Sequence, residues 1–326
     1  VVGLGAGLAT TKVGAAQNLS ATLWRPSGPG LMGEVRIGDL IATPRGWERV
    51  DAIYPQGEQD IYRVTFQDGS TAECTLDHLW NVTIPSNGGR KAKDLTLPLS
   101  EIIAFPYDKL RRTTIPLQGV VEFTEQPVFI SPYVLGVLLG DGSFRHQLSL
   151  SNPEFALIGA FRERLPAGYS LMPRGDDLNY WLRQDDHVPG CSNPFRDELR
   201  RLGLWMKYSH EKFIPDLYKH NSSEVRREIL RGILDTDGFV NLHGQPALQQ
   251  TSKRLANDVT WIVQSLGGYV LTHRKQANTS IRFIAGHPFQ SNYDCYSQSI
   301  VIENGQQLFA YSQKRDKCRP RGKAAT

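Results

Sequence analysis

The sequence predicts an α+β fold: a mainly-β first part, then a pseudo-twofold second part in which an αββαββα unit occurs twice. Three observations predict it. Short strand-like pieces separated by turn signals fill residues 30 to 82. The texture changes at Ser131, where helical and strand-like segments begin to alternate. Two apolar runs, VLLGDGSF at 137–144 and ILDTDGFV at 233–240, each end in Asp-Gly, and the two aspartates are 96 residues apart.

In the first part, ERVDAIY and DIYRVTF read as strands, separated by the turn signals PRG, PQGEQ and QDGS. Residues 83 to 130, with SNGGRKAKD and scattered prolines, read as an irregular connection. The first copy of the repeat opens with helix PYVLGVLLGD, then strands in SFRHQLSLS and helix PEFALIGAFRERL. Strands YSLMPR and NYWLRQ and helix NPFRDELRRLGLW complete it. The second copy opens with helix EVRREILRGILDTD, followed by strands FVNLHG and ALQQTS and helix KRLANDVTWIVQSLGG. Strands YVLTHR and YDCYSQSIVI follow, and a last helix QQLFAYSQKRDK. A repeat that preserves element order supports each assignment within it.

A chain of 326 residues, 40% hydrophobic, is long for a single core, so two or three domains are expected. No apolar run approaches the roughly 20 residues that cross a bilayer, and the glycine- and alanine-rich start lacks the basic residues of a signal peptide. Four scattered cysteines without a CxxC pair argue against a disulfide framework or zinc site and suit a reducing, intracellular and cytoplasmic setting. Charge is uneven. Residues 1–130 carry 12 Lys+Arg against 14 Asp+Glu, and residues 131–326 carry 25 against 19. The second part is the better candidate for a polyanionic partner.

The two Asp-Gly helices align at the offset of 96: Gly136 with Gly232, Gly140 with Thr236, Asp141 with Asp237, Gly142 with Gly238. Small residues at i and i+4 share one helix face and let two backbones approach closely. Such packing brings Asp141 and Asp237 side by side at two helix C-termini. That is electrostatically poor in isolation, because like charges repel and the helix dipole adds negative charge. A divalent cation resolves it, and Mg²⁺ suits one or two carboxylates completed by waters and phosphate oxygens.

VLLGDGSF and ILDTDGFV resemble the paired motifs of LAGLIDADG homing endonucleases in their single-chain, two-repeat form. The resemblance covers about 190 residues, 131–318, with repeats at about 131–206 and 224–318. It implies a monomeric enzyme that hydrolyses phosphodiesters of a long double-stranded DNA site, the uninterrupted copy of its host gene, and reads it with β-ribbons. Carried over, Asp141 and Asp237 are the catalytic, metal-binding acids of two or three Mg²⁺ ions, with Gly140 and Thr236 as further metal ligands. Ribbons at 143–152, 169–184, 239–251 and 269–302 present Arg145, His146, Gln147, Arg174, Arg183, Gln245, Gln249, Gln250, Arg274 and Lys275 to DNA. Lys212, in HEKFIPDLY, resembles the lysine before the second motif in intein endonucleases. Lys253, in QQTSKRLA, is the other candidate to face the scissile phosphate.

Residues 16–126, through MGEVRIGDLIATPRGWERVDAIY and IYRVTFQDGSTAECTLDHLW, resemble the N-terminal part of a Hint domain, the protein-splicing fold of inteins. The T-x-x-H signature is Thr75-Leu76-Asp77-His78, and the resemblance implies that Thr75 and His78 polarise the upstream splice junction. Splicing also needs a Cys or Ser first residue and a terminal His-Asn. Ala16-Gln17-Asn18 stands where the first is expected, Ser20 is slightly late, and KCRPRGKAAT lacks the second. A degenerate or split intein, a shortened chain, and deliberate replacement at Ala16 and Ala324-Ala325 remain open explanations. No self-splicing is expected. Residues 1–15 read as a lead-in and 319–326 as a tail. GLGAGLAT has G-x-G-x-G spacing without the third glycine or the βαβ context of a dinucleotide site. The alternative to a nuclease is a protein-splicing element whose endonuclease domain is only a DNA-binding relic.

Overall fold

The computed structural model describes residues 17–43, 46–85, 92–175, 178–186, 188, 191–284, 287–310 and 312–319, with side chains of 278–291 and 312 excepted. Gly3, Gly5, Gly7, Ala16, Ala324, Ala325, residues 86–91 and residues 320–326 lie outside them. Residues 17–124, with Gln264–Gly268, group as one compact unit, and Glu125–Val263 with 269–319 as another.

The first unit is built of antiparallel pairs: β1 (Thr22–Arg25) with β2 (Gly28–Leu31), β3 (Leu40–Thr43) with β4 (Gly46–Arg49), β5 (Tyr62–Thr65) with β6 (Thr71–Cys74), and β7 (Leu79–Ile84) with β8 (Lys93–Pro98). Leu23, Trp24, Val82, Leu99, Val121 and Phe123 are buried, and Trp24 meets Phe123 edge-on at 5.7 Å. Two expectations are corrected. ERVDAIY is strand only through Arg49, because β3 ends its register at Leu40 opposite Arg49, and residues 51–61 are exposed. The region after 83 is not simply a connection. KDLTLP alternates charged or polar with apolar residues and pairs with β7 from Leu79 opposite Pro98, and helices α1 (Leu99–Ile103) and α2 (Tyr107–Leu110) follow.

The second unit centres on α3 (Pro132–Asp141) and α7 (Ser223–Thr236). Between them lie β9 (Gly142–Ser143), β10 (Ser149–Ser151), α4 (Phe155–Glu163), β11 (Tyr169–Pro173), β12 (Asn179–Gln184), α5 (Pro194–Arg201) and α6 (Asp216–Lys219). After α7 come β13 (Gly238–Val240), β14 (Pro246–Gln250), α8 (Lys253–Ser265), β15 (Tyr269–Lys275), β16 (Asn278–Ile284), β17 (His287–Ser291), β18 (Cys295–Val301) and α9 (Ser312–Arg315). The sheets run β9-β10-β12-β11 and β13-β14-β18-β15, so their strands follow one identical order. The repeat read from the sequence is therefore present in topology as well as in element order.

Close helix contact explains the small residues. A Cβ on Gly136 would strike the Ile229 carbonyl oxygen, and one on Gly232 would strike that of Tyr133 and lie 2.7 Å from the Val137 nitrogen. Tyr133 through Leu139 are all buried. Gly142 is not needed for an unusual backbone angle, since its φ of −84° is open to any residue. Its Cβ would instead lie 2.7 Å from Leu138 Cα, as a Cβ on Gly238 would from Leu234 Cα.

SFRHQLSLS forms two short strands, as expected, with 144–148 between them. Two other elements differ from expectation. The helix expected over NPFRDELRRLGLW stops at Arg201, and Gly203 follows at φ +74° in the left-handed conformation that ends helices. The helix expected over QQLFAYSQKRDK is split into a 3-10 turn at Gly305–Leu308 and α9. The Ala310 N–H between them is bonded to Asp235 rather than to a helix carbonyl. The β16–β17 hairpin has no counterpart among the described residues of the first copy.

Candidate active site

Asp141 and Asp237 end the two packed helices, and the Asp237 carboxylate lies 3.4 Å from the Cβ position of Gly140. Burial pushes both acids above the ordinary carboxylate range, and the charge of Asp141 raises Asp237 further. Each is held by one amide. Asn152, just past β10, donates to Asp141 Oδ2 at 2.6 Å, and Gln250, at the end of β14, donates to Asp237 Oδ2 at 2.8 Å. Each Oδ1 carries no hydrogen bond among the described residues.

Two lysines close the helix ends. Lys212 Nζ is buried and donates to the carbonyls of Leu138, Leu139, Gly140 and Gly142 at 2.8–3.1 Å. Lys314 Nζ donates to those of Leu234, Asp235 and Thr236 at 2.7–3.2 Å. A cation at a helix C-terminus offsets the partial negative charge of the unpaired carbonyls. Burial lowers both lysines, Lys212 to about 8, while the two aspartates act in the opposite direction. The carbonyls of Gly140 and Thr236, expected as metal ligands, each accept from a lysine and so have one lone pair left.

The described residues contain no group of three or more His, Cys, Asp or Glu side chains that could hold a metal. Mg²⁺ does not require one. Two carboxylates, each with an oxygen left over, suit an ion that keeps several waters and takes phosphate oxygens.

Lys253 is exposed at the first turn of α8, and among the described residues no hydrogen bond or ion pair ties it to either acid. Gln250, expected on a DNA-reading ribbon, is buried and engaged with Asp237 instead. The other ribbon residues are more open. His146, Gln147, Arg174, Arg183, Gln249, Arg274 and Lys275 are exposed, while Arg145 and Gln245 are partly covered. Arg145 stacks on Tyr208 at 3.9 Å, Arg174 lies over Trp181 at 5.1 Å, and Arg274 pairs with Asp294 at 2.6 Å. Asn152 and Lys314 were missed from sequence. Asn152 falls 11 residues after Asp141 where Gln250 falls 13 after Asp237. Lys212 falls 71 after its acid where Lys314 falls 77 after its own. The fixed offset of 96 hides both pairings.

In the first unit, Thr75 and His78 are buried, and His78 Nε2 lies 3.5 Å from Gln17 Nε2. Burial lowers the His78 pKa. His78 Nδ1 has no partner among the described residues.

No protein-family profile matches the chain. Its sequence is 24% identical to the replicative DNA helicase DnaB of Mycobacterium intracellulare over 93% of this chain and 49% of that protein. It is 26% identical to DnaB of Rhodothermus marinus over 67% of this chain and 23% of that protein. The chain thus spans half or less of the length of these relatives. Among solved structures, the homing endonuclease I-DmoI in complex with DNA and Ca is 13% identical over 57% of this chain and 95% of its own, with a TM-score of 0.35. I-DmoI has also been crystallised with DNA and Mn. The gp41-1 intein is 22% identical over 27% of this chain and 61% of its own, with a TM-score of 0.22. No described helix is long and apolar enough to cross a membrane. The structural likenesses are distant. On its own paired motif helices and matched sheets, the chain has an α+β fold whose second unit resembles LAGLIDADG endonucleases and whose first resembles the N-terminal part of a Hint domain.

Proposed function

We propose that the second unit is a site-specific endonuclease that cuts both strands of a long duplex DNA, using Mg²⁺ held by Asp141 and Asp237. The observation that carries this reading is the pair of half-buried carboxylates at two abutting helix ends, each with its own amide and its own lysine. A divalent cation there supplies charge for the phosphate and acidifies an attacking water. Asn152 and Gln250 fix the rotation of the carboxylates through each Oδ2, leaving Oδ1 of each available to hold a cation. Lys212 and Lys314 hold positive potential beside the place where a phosphodiester gains charge. Lys253, exposed on α8, serves the backbone of DNA rather than the reacting phosphate. Arg145, His146, Gln147, Arg174, Arg183, Gln245, Gln249, Arg274 and Lys275 contact phosphates and base edges from the ribbons. The enzyme acts as an intracellular monomer, because both acids come from one chain, and Thr75 with His78 is a residual splicing site that does not release a product.

The test is cleavage of a supercoiled plasmid carrying the host gene joined across the point where this chain interrupts it. Mg²⁺-dependent linear product from the parent, lost in Asp141→Asn and Asp237→Asn, supports the reading. Binding without cutting by the parent favours the DNA-binding relic instead.

A further inference from the structure

We infer that Asp235 is a positioning residue for Lys314, a carboxylate on the second motif helix itself where the first motif helix carries Leu139. Asp235 is 1% exposed on α7 and accepts the Ala310 N–H on both oxygens, at 3.1 and 3.2 Å, and the Tyr133 hydroxyl at 2.9 Å. That N–H lies four residues before Lys314, in the stretch that interrupts helical structure between the 3-10 turn and α9. A carboxylate shared between a backbone amide and a phenol is a directional anchor, because all its partners donate. Phe309 and Leu308, both buried, add apolar contact but fix no hydrogen-bond direction. The Lys314 ammonium then reaches Leu234, Asp235 and Thr236.

The first copy solves the same problem differently. Leu139 occupies the position of Asp235 and is buried. Lys212 is set through its backbone segment by residues at the start of and within α8: Ser252 Oγ donates to the Lys212 carbonyl at 2.6 Å, and the Ile214 N–H donates to buried Asp258 Oδ2 at 2.9 Å. Removing Asp235 therefore releases Lys314 alone. The Tyr133 hydroxyl comes from α3, so the latch also ties the first motif helix to the second copy's lysine.

The direct test is amine acetylation of the full chain with an N-hydroxysuccinimide acetate, read lysine by lysine by mass spectrometry, for the parent, Asp235→Leu, Asp235→Asn and Tyr133→Phe. Lys314 is expected to react about tenfold faster in Asp235→Leu, the factor that loss of a charge-assisted hydrogen bond gives, with Lys212 unchanged. Smaller increases at Lys314 are expected in the two milder variants. Unchanged Lys314 reactivity in all three, or equal acceleration of Lys212 in the milder pair, overturns the inference. This readout does not depend on catalysis. The second readout rests on the proposed nuclease activity: Asp235→Leu should turn the supercoiled plasmid into nicked circles before linear product, with unchanged DNA affinity. A parent that does not cut sinks the activity and leaves the acetylation result to decide the latch. A parent that cuts, with a variant that slows both strands equally, sinks the latch.

Discussion

The two copies within the second unit share their chemistry and differ in how they support it. Each presents an aspartate, a side-chain amide and a lysine at a helix end, and each lays its four strands in the same order. The supports diverge: Leu139 against Asp235, a fully buried Lys212 against a half-buried Lys314, and, among the described residues, a β16–β17 hairpin in the second copy only. Groups that would meet the reacting phosphates are thus constrained by charge and reach. The scaffolding behind them needs only to deliver those groups, and several packings do so.

The largest expected effect tests whether the two acids form one centre. Asp141→Asn and Asp237→Asn should each reduce cutting by roughly a thousandfold or more, measured as linear plasmid formed per unit time. A variant that still cuts at the parental rate breaks the pairing. Next, Lys212→Met and Lys314→Met should each slow one strand by about a hundredfold and leave the other near parental speed, read with strand-specific end labels. Opposite strands for the two variants sharpen the comparison, and the same strand for both defeats it.

Smaller effects concern stability. Gly232→Val places atoms against the Tyr133 carbonyl and should cost about 3 kcal/mol in a urea melt. For Lys212 the pKa falls from the ordinary 10.5 to about 8 on folding, so the folded chain binds fewer protons than the unfolded chain between those values. The burial penalty is full below about pH 8, and stability rises with pH through the window. Lys212→Met should abolish that alkaline gain, read as the difference between melts at about pH 7.5, below the window, and about pH 9.5, within it. Gly159, on α4, has open space at its Cβ position, so Gly159→Ala should stabilise by up to about 1 kcal/mol.

The paired helices, the repeat and the acids are legible in the sequence because tight backbone contact demands glycine at fixed spacing, as at Gly136 and Gly232. Lys212 was legible from its neighbourhood. Its partner Lys314 was not, because insertions between acid and lysine differ between the copies and no local pattern marks a lysine that bonds carbonyls. Gln250 looked like a base reader because strand alternation alone does not say which face is covered. β8 was hidden by charges beside Leu95 and Leu97, which register with β7 accommodates through Thr83 Oγ1 bonded to Asp94 at 2.6 Å.

The mismatch at one level of the helix interface decides who can pair with whom. The Thr236 side chain occupies the space that Gly140 leaves open, and it donates to the carbonyls of Gly232 and Ile233 at 3.0 and 2.9 Å. Two first halves together would set glycine against glycine and leave a void. Two second halves would set threonine against threonine with no room for either. The halves are complementary rather than interchangeable, so as separate polypeptides they would select each other over copies of themselves.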